Sequence, residues 1–325
     1  MVSAMTEIAL PDALRLRIVG KRELATGIFG FDLAAPDGSD LPPFTAGAHV
    51  RIWTPAGLLR KYSLCGDPSD RGSYAIAVKR EPCGRGGSAS MADSARVGDD
   101  LSVSIPHNDF PLVKSPAGCV LIAGGIGITP IMSMIRHLKA TGGRFKLYYC
   151  TRSPAHTAFL DELVRPHFRG QVTIHHDAGD ADKALDLWPV LEHPTGEHVY
   201  CCGPRGMMEA VRGMTGHWPA SAVHFEAFSE PEEQTRGGDL PFRVKLSRTG
   251  SIVDVPVGIT ILEALRAAGH VVPSSCESGT CGTCKTRVLG GIPDHRDLVL
   301  AEHERADHVM VCVSRALSEE LVIDR

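Results

Sequence analysis

Four cysteines near the carboxyl end have the types and spacing of an iron-sulfur ligand set. In the string CESGTCGTC, Cys276, Cys281 and Cys284 stand at x4 and x2 spacing, and Cys312 follows on a predicted strand. This is the plant-type spacing for a two-iron, two-sulfur (2Fe-2S) cluster, in which three thiolates from one loop and a remote fourth converge on one inorganic core. Ser274, Ser275, Ser278, Gly279, Thr280 and Gly282 are small enough to let backbone amides close on the core's sulfides. Four cysteines also suit tetrahedral zinc. Zinc sites usually pair two short knuckles, however, and here three ligands share one loop, so the cluster is the expected occupant.

Two further groups of residues suit phosphate-bearing cofactors. In RKYSL, strand alternation sets Arg60 and Tyr62 on one face and Lys61 and Ser63 on the other. An arginine can clamp a phosphate, an aromatic can cover an isoalloxazine, and a hydroxyl can reach its reactive nitrogen. Alone, the motif reads equally as a solvated β-edge. The later GRGGS, with Gly86, Gly87 and Ser88 leading into a helical stretch, offers amides to an anion and makes a flavin phosphate the favoured occupant. Downstream, a strand runs into GGIGITP, where Gly124, Gly125 and Gly127 permit a tight turn and Thr129 precedes Pro130 at a helix start. A pyrophosphate can rest there, although a ligand-free turn has the same glycines. The string CGP (Cys202, Gly203, Pro204) ends another strand on the edge where such sheets bind ligands. HFEAF supplies Glu226 and Phe228. Arg152, following a strand where an acid would suit NADH, could meet a 2′-phosphate. His175, His176 and Asp177 do not suggest a metal, because adjacent strand histidines face opposite ways.

The elements that must carry these residues divide the 325-residue chain into three expected domains and a linker. Residues 1–111 read as an antiparallel barrel, with short alternating runs at 49–53, 58–64, 73–80 and 100–105 between proline and glycine turns. Residues 112–228 alternate apolar strands (119–123, 145–150, 172–176, 199–202) with helical stretches, the pattern of a parallel sheet covered by helices. Residues 229–239, SEPEEQTRGGD, contain no apolar side chain and read as a linker. Residues 240–325 begin with two strand-like runs, 242–246 and 252–255, joined by a turn at Thr249 and Gly250. A helix over 259–268 closed by Gly269 follows, then strands at 287–289, 309–313 and 321–323.

Composition excludes other classes. With 43% apolar and 22% charged residues the chain is an ordinary globular sequence, and a net charge of −4 gives no basic footprint for nucleic acid. The apolar stretch 119–135 is short for a membrane span and broken by glycines. The amino terminus lacks a secretory pattern, so no membrane partner is expected and the cytoplasm is the expected compartment. Ten cysteines in a chain of this length are not a disulfide framework. Cys65, Cys83, Cys119, Cys150 and Cys201 read as small buried hydrophobes.

Taken together, these motifs resemble the phthalate dioxygenase reductase type of the ferredoxin-NADP reductase superfamily, in its domain order as well as its strings. The resemblance implies a multidomain chain: a β-barrel flavin domain, an α/β nicotinamide domain and an α+β ferredoxin domain of β-grasp form. It implies FMN held by Arg60, Lys61, Tyr62, Ser63, Gly86, Gly87 and Ser88. It also implies NADH as the donor, Cys202 at the hydride-bearing carbon, and Glu226 and Phe228 at the flavin. Electrons would pass from NADH through FMN and the 2Fe-2S cluster to a Rieske-type terminal oxygenase acting on an aromatic ring. The rivals are an oxidative O-demethylase of the vanillate type, a flavin and iron-sulfur redox sensor, and a zinc module attached to a flavin reductase.

Overall fold

The computed structural model describes residues 13–82, 84, 86–228 and 239–325, so Cys83, Arg85 and all of the expected linker except Asp239 lie outside the described residues. The chain divides into two compact units between His224 and Phe225.

The first unit opens with six strands: β1 (Leu14–Ala25), β2 (Ile28–Ala34), β3 (His49–Trp53), β4 (Leu59–Ser63), β5 (Tyr74–Lys79) and β6 (Asp100–Val103), in the order β4-β3-β6-β1-β2-β5. Alternate residues Leu16, Ile18, Phe31, Leu33, Val50, Ile52 and Ile76 turn into one core. The bridge between Leu64 and Ile76 draws β4 toward β5 and begins to close the sheet into a barrel. Neither β1 nor β2 is among the expected strands. The outer face of β1 is heavily charged, and Arg15 and Arg17 there pair with Asp100 across the β1–β6 ladder.

After β6 the chain is fastened back on β3. His49 and His107 exchange backbone hydrogen bonds of 2.8 and 2.9 Å. The Asn108 amide donates to Thr45 Oγ1 at 2.7 Å and to the Ala46 carbonyl at 3.0 Å. Gly47 passes directly beneath this segment with φ of 92°, and a β-carbon there would lie 2.0 Å from the Phe110 carbonyl oxygen. Only glycine satisfies both demands.

A five-stranded sheet follows, formed by β7 (Cys119–Gly124), β8 (Phe145–Thr151), β9 (Val172–His176), β10 (His198–Cys202) and β11 (Val223–Glu226), in the order β11-β10-β7-β8-β9. Pairing of β7 with both β8 and β10 is parallel. Every residue of β7 is buried, as expected of a central strand covered on both faces. The helix Ile128–Thr141 packs on it and ends at Gly142, whose φ of 70° closes the last turn. From that helix Arg136 donates to the Cys65 carbonyl and grips Glu162, tying the two sheets together.

The second unit is a β-grasp. Strands β12 (Phe242–Leu246), β13 (Ile252–Val255), β14 (Lys285–Gly290), β16 (His308–Met310) and β18 (Glu320–Ile323) form a mixed sheet ordered β13-β12-β18-β14-β16. A two-stranded ladder joins β15 (Pro293–Asp294) to β17 (Arg315–Ala316). The helix Ile261–Ala267 starts in a capping box between Thr260 and Glu263 and buries Ile261, Leu262 and Leu265 against Val244, Leu246 and Ile323. One expectation is corrected here. Cys312 is not on a strand: β16 ends at Met310, and the chain turns so that the buried cysteine faces the loop carrying the other three.

Gly47→Ala is expected to lower stability by more than about 2 kcal/mol, because it combines left-handed strain with a backbone clash. Urea unfolding of the two proteins measures this, and coincident midpoints would show that the Phe110 segment is not pinned.

Candidate functional site

The cysteine loop is built from tight backbone and anchored side chains. Glu277 sits at φ of 54°, unusual for a residue with a β-carbon. Its carboxylate is held by Arg266 at 2.8 Å and by the Ser274 hydroxyl at 2.8 Å. Amides turn inward, from Ser278 to Cys276 Sγ at 3.4 Å and from Cys276 to Cys281 Sγ at 3.5 Å. Cys276, Cys284 and Cys312 are buried, and Cys281 is half-buried.

The sulfurs form two pairs. A hydrogen bond from Cys281 holds the Cys276 thiol below its usual range and, together with burial, pushes Cys281 up. Cys284 is likewise lowered by Cys312, which is itself raised by the same contact and by burial. Among the described residues no three Cys, His, Asp or Glu side chains gather as a single metal ion requires. Three cysteines on one loop faced by a buried fourth, with amide donors turned toward the sulfurs, have the arrangement a 2Fe-2S cluster takes.

In the first unit, β4 brings the RKYSL residues to the edge of the barrel sheet. Tyr62 packs on the barrel core, whereas Ser63 is buried on the opposite face, directly across from His49. Arg60 lies over the start of the helix Gly87–Asp93, so close that a β-carbon on Gly87 would come within 2.7 Å of Arg60 Nε. Gly86, at φ of 86°, turns the chain into that helix, and the Ser88 hydroxyl accepts the Glu81 amide at 3.1 Å. A guanidinium and glycine amides therefore converge as a phosphate requires.

The two nucleotide strings meet at the carboxyl edge of the parallel sheet. Ala123 pairs with Cys202, and the following turns press backbone on backbone. A β-carbon on Gly127 would stand 2.2 Å from the Cys202 carbonyl oxygen, and one on Gly124 would stand 2.5 Å from Pro204 Cδ. Order in the sheet reverses here, since β7 lies between β8 and β10, and such a switch point leaves a crevice for a dinucleotide. Gly125 is half-buried, and its carbonyl is held by the Tyr149 hydroxyl at 3.0 Å. Thr129 is buried and donates back to the Ile126 carbonyl at 3.1 Å, so its hydroxyl closes the turn. Arg152 is exposed and lies along the turn at Gly179, 3.9 Å from a β-carbon placed there. Glu226 ends β11 and is buried, and Phe228 is half-buried; both belong to the second unit.

Several supporting residues carry no motif and escaped the sequence reading. Asp297, 3% exposed, accepts the amides of Val299 and Leu300 at 3.2 and 2.8 Å. The Leu298 amide beside it donates to the Gly279 carbonyl at 3.0 Å, clasping the cysteine loop. Arg296, 4% exposed, bonds to Asp239 at 2.5 and 3.0 Å and to Asp294. The only sequence signal is an alternation of charge in PDHRD, which reads as surface until burial is known.

Comparison with known proteins places these features in one context. The family profile of the 2Fe-2S iron-sulfur cluster binding domain matches residues 244–317, and that of the oxidoreductase NAD-binding domain matches residues 121–213. The chain is 53% identical to the phthalate 4,5-dioxygenase oxygenase reductase subunit of Pseudomonas putida, over 95% of this chain and 96% of that protein. It is 52% identical to the phthalate dioxygenase reductase of Burkholderia cepacia, over 96% and 97%. A solved phthalate dioxygenase reductase, described as a modular structure for electron transfer from pyridine nucleotides to 2Fe-2S, superposes with a TM-score of 0.72 at 51% identity, covering 96% of this chain and 98% of that one.

Gly127→Ala should force the two turns apart and weaken binding of a reduced nicotinamide dinucleotide about tenfold or more, which corresponds to about 1.4 kcal/mol. Calorimetric titration tests this; unaltered affinity would remove the turn from the binding site.

Proposed function

Because the chain belongs to the phthalate dioxygenase reductase family, we propose that it is the NADH-dependent reductase component of a two-component oxygenase. Its electrons pass through FMN and a 2Fe-2S cluster to a Rieske-type oxygenase acting on an aromatic ring. The observation that carries this reading is the presence in one chain of a paired-turn nucleotide edge and a loop of three cysteines faced by a buried fourth. When bound, the flavin takes up a hydride and releases electrons singly, and the cluster accepts them one at a time.

The chain's own contribution is position. Arg60, Gly86, Gly87 and Ser88 hold the flavin phosphate, and Lys61, Tyr62 and Ser63 take the flavin contacts that the resemblance gives them. Gly124, Gly125, Gly127 and Thr129 shape the bed for the dinucleotide pyrophosphate, with Cys202, Gly203 and Pro204 beside it. Cys202 ends β10 beside these turns and is fully buried, so its thiol takes no part as a nucleophile, and its place at the nicotinamide is the one the resemblance gives it. Glu226 and Phe228 keep the flavin roles that the resemblance gives them. Cys276, Cys281, Cys284 and Cys312 are the cluster ligands.

Donor choice concerns the ends of β8 and β9. The Asp177 amide bonds the Thr151 carbonyl and the Ala178 amide bonds the Arg152 carbonyl, so an acid stands next to the arginine. The Asp177 carboxylate accepts the Gly179 amide in this turn, and the preference for NADH is the one the family resemblance implies. Three domains, 1–111, 112–228 and 240–325, divide this work, with 229–239 linking the last two. Among the described residues no helix is long and apolar enough to cross a membrane. We place the protein in the cytoplasm, where thiols stay reduced.

Ser63→Ala and Cys202→Ala should each slow flavin reduction by NADH about tenfold or more in stopped flow, through lost alignment. Rates equal to the parent would take both residues out of the site. Paramagnetic resonance of the anaerobically reduced protein, with iron analysis, should show a cluster signal that Cys312→Ser abolishes. A silent parent containing zinc would overturn the electron-relay reading.

A further inference from the structure

Asp109 belongs to no motif, yet it reaches the flavin strand. Lys61 and Ser63 lie two residues apart on β4 and so share a face. His49 is the cross-strand partner of Ser63, and Arg51 that of Lys61. On the other side of β3, the double backbone bond between His49 and His107 fixes the segment that carries Asp109. The Asp109 carboxylate lies 3.6 Å from Lys61 Nζ and 3.0 Å from His107 Nε2, with only 8% of its side chain exposed and 23% of that of Lys61. His49 is 2% exposed and stacks edge-on against His107 with ring centroids 5.6 Å apart. Burial, and next the Lys61 charge, hold its imidazole down to about 2, so it adds no charge of its own. The Lys61 ammonium and the Asp109 carboxylate thus bring opposite charges to this face near Ser63, with Arg51 exposed at the rim and His107 turned to solvent.

We propose that Asp109 is a positioning residue for electron transfer: it fixes the Lys61 ammonium on the Ser63 face of β4, offsets its charge, and so sets the reduction potential of the bound flavin. This rests on the reading above that RKYSL holds the flavin. Reduction adds negative charge to the ring system, which a nearby ammonium favours and a nearby carboxylate opposes. The pair is partly buried, so solvent screens it weakly. A low effective dielectric makes a charge here count over the few ångströms between neighbouring side chains of one strand face.

The test is an anaerobic spectroelectrochemical titration of the full chain with its cofactors, with flavin content measured for each protein. Asp109→Asn should raise the flavin midpoint potential and Lys61→Met should lower it. The double variant should return close to the parent, and Asp109→Glu should lie near the parent because it restores the charge. A purely packing role predicts no rescue in the double variant. If Asp109→Asn fails to fold, Lys61→Met alone decides, since it removes the cation without touching the Asn108 and Phe110 segment. Parent-like potentials in either single variant, or single variants that shift the potential in the same direction, would overturn the proposal. A parent protein without bound flavin would overturn the flavin reading itself, an outcome visible in the spectrum before any variant is made.

Discussion

A β-carbon placed on Gly127 would lie 2.2 Å from the carbonyl oxygen of Cys202, and this close approach of bare backbone governs how the nucleotide edge is made. Neighbouring parallel strands already bring Ala123 and Cys202 into register, but the turns beyond them can touch only where one has no side chain. The same economy of space recurs where Gly47 underlies Phe110 and where Gly279 meets the Cα of Asp297. In each case a functional segment is located by backbone contact. Such contact is stiffer than a side-chain contact, because no rotamer can relax it. Glycine costs conformational entropy on folding, so these positions trade stability for closeness.

Burial of charge is the second device. Arg296 and Arg315, each 4% exposed, would be costly alone. They are satisfied by Asp239 and Asp294 and by backbone oxygens: the Arg315 guanidinium bonds the carbonyls of Ile259 at 2.5 Å and Leu240 at 3.0 Å. Such a network adds little net stability compared with apolar packing, but it is exacting about geometry. Here it fastens Asp239 and Leu240, which precede β12, to the strands beside the cysteine loop. The loop is thereby held from both sides, by Arg266 through Glu277 and by Asp297 through Gly279. Four thiolates brought together around a doubly charged inorganic core need that support, because their own proximity is unfavourable when ionised.

The four candidate cluster cysteines, the RKYSL strand and the glycine turns could be singled out because each is a local string. A spacing of x4 and x2 fixes how far apart three thiols can be, whatever surrounds them, and an alternating run declares its two faces from period alone. The positions of the later strands were legible for the same reason, since apolar runs between turns are bounded by covalent neighbours. Charged β1 was not, because its outer face is answered by Asp100, a residue of another strand. The apolar run around Cys312 does not end at Met310, so it reads as strand, whereas β16 stops there and Cys312 lies in a turn.

Residue type and short-range spacing were therefore enough to single out the candidate donor atoms and the classes of cofactor that each segment suits. Only the tertiary structure decided which side chains stand behind them. Lys61 meets Asp109 across an intervening strand, and Asp297 clasps a loop nearly twenty residues earlier in the chain. Those contacts follow from strand order and burial, which join residues distant in sequence and leave no periodicity to read.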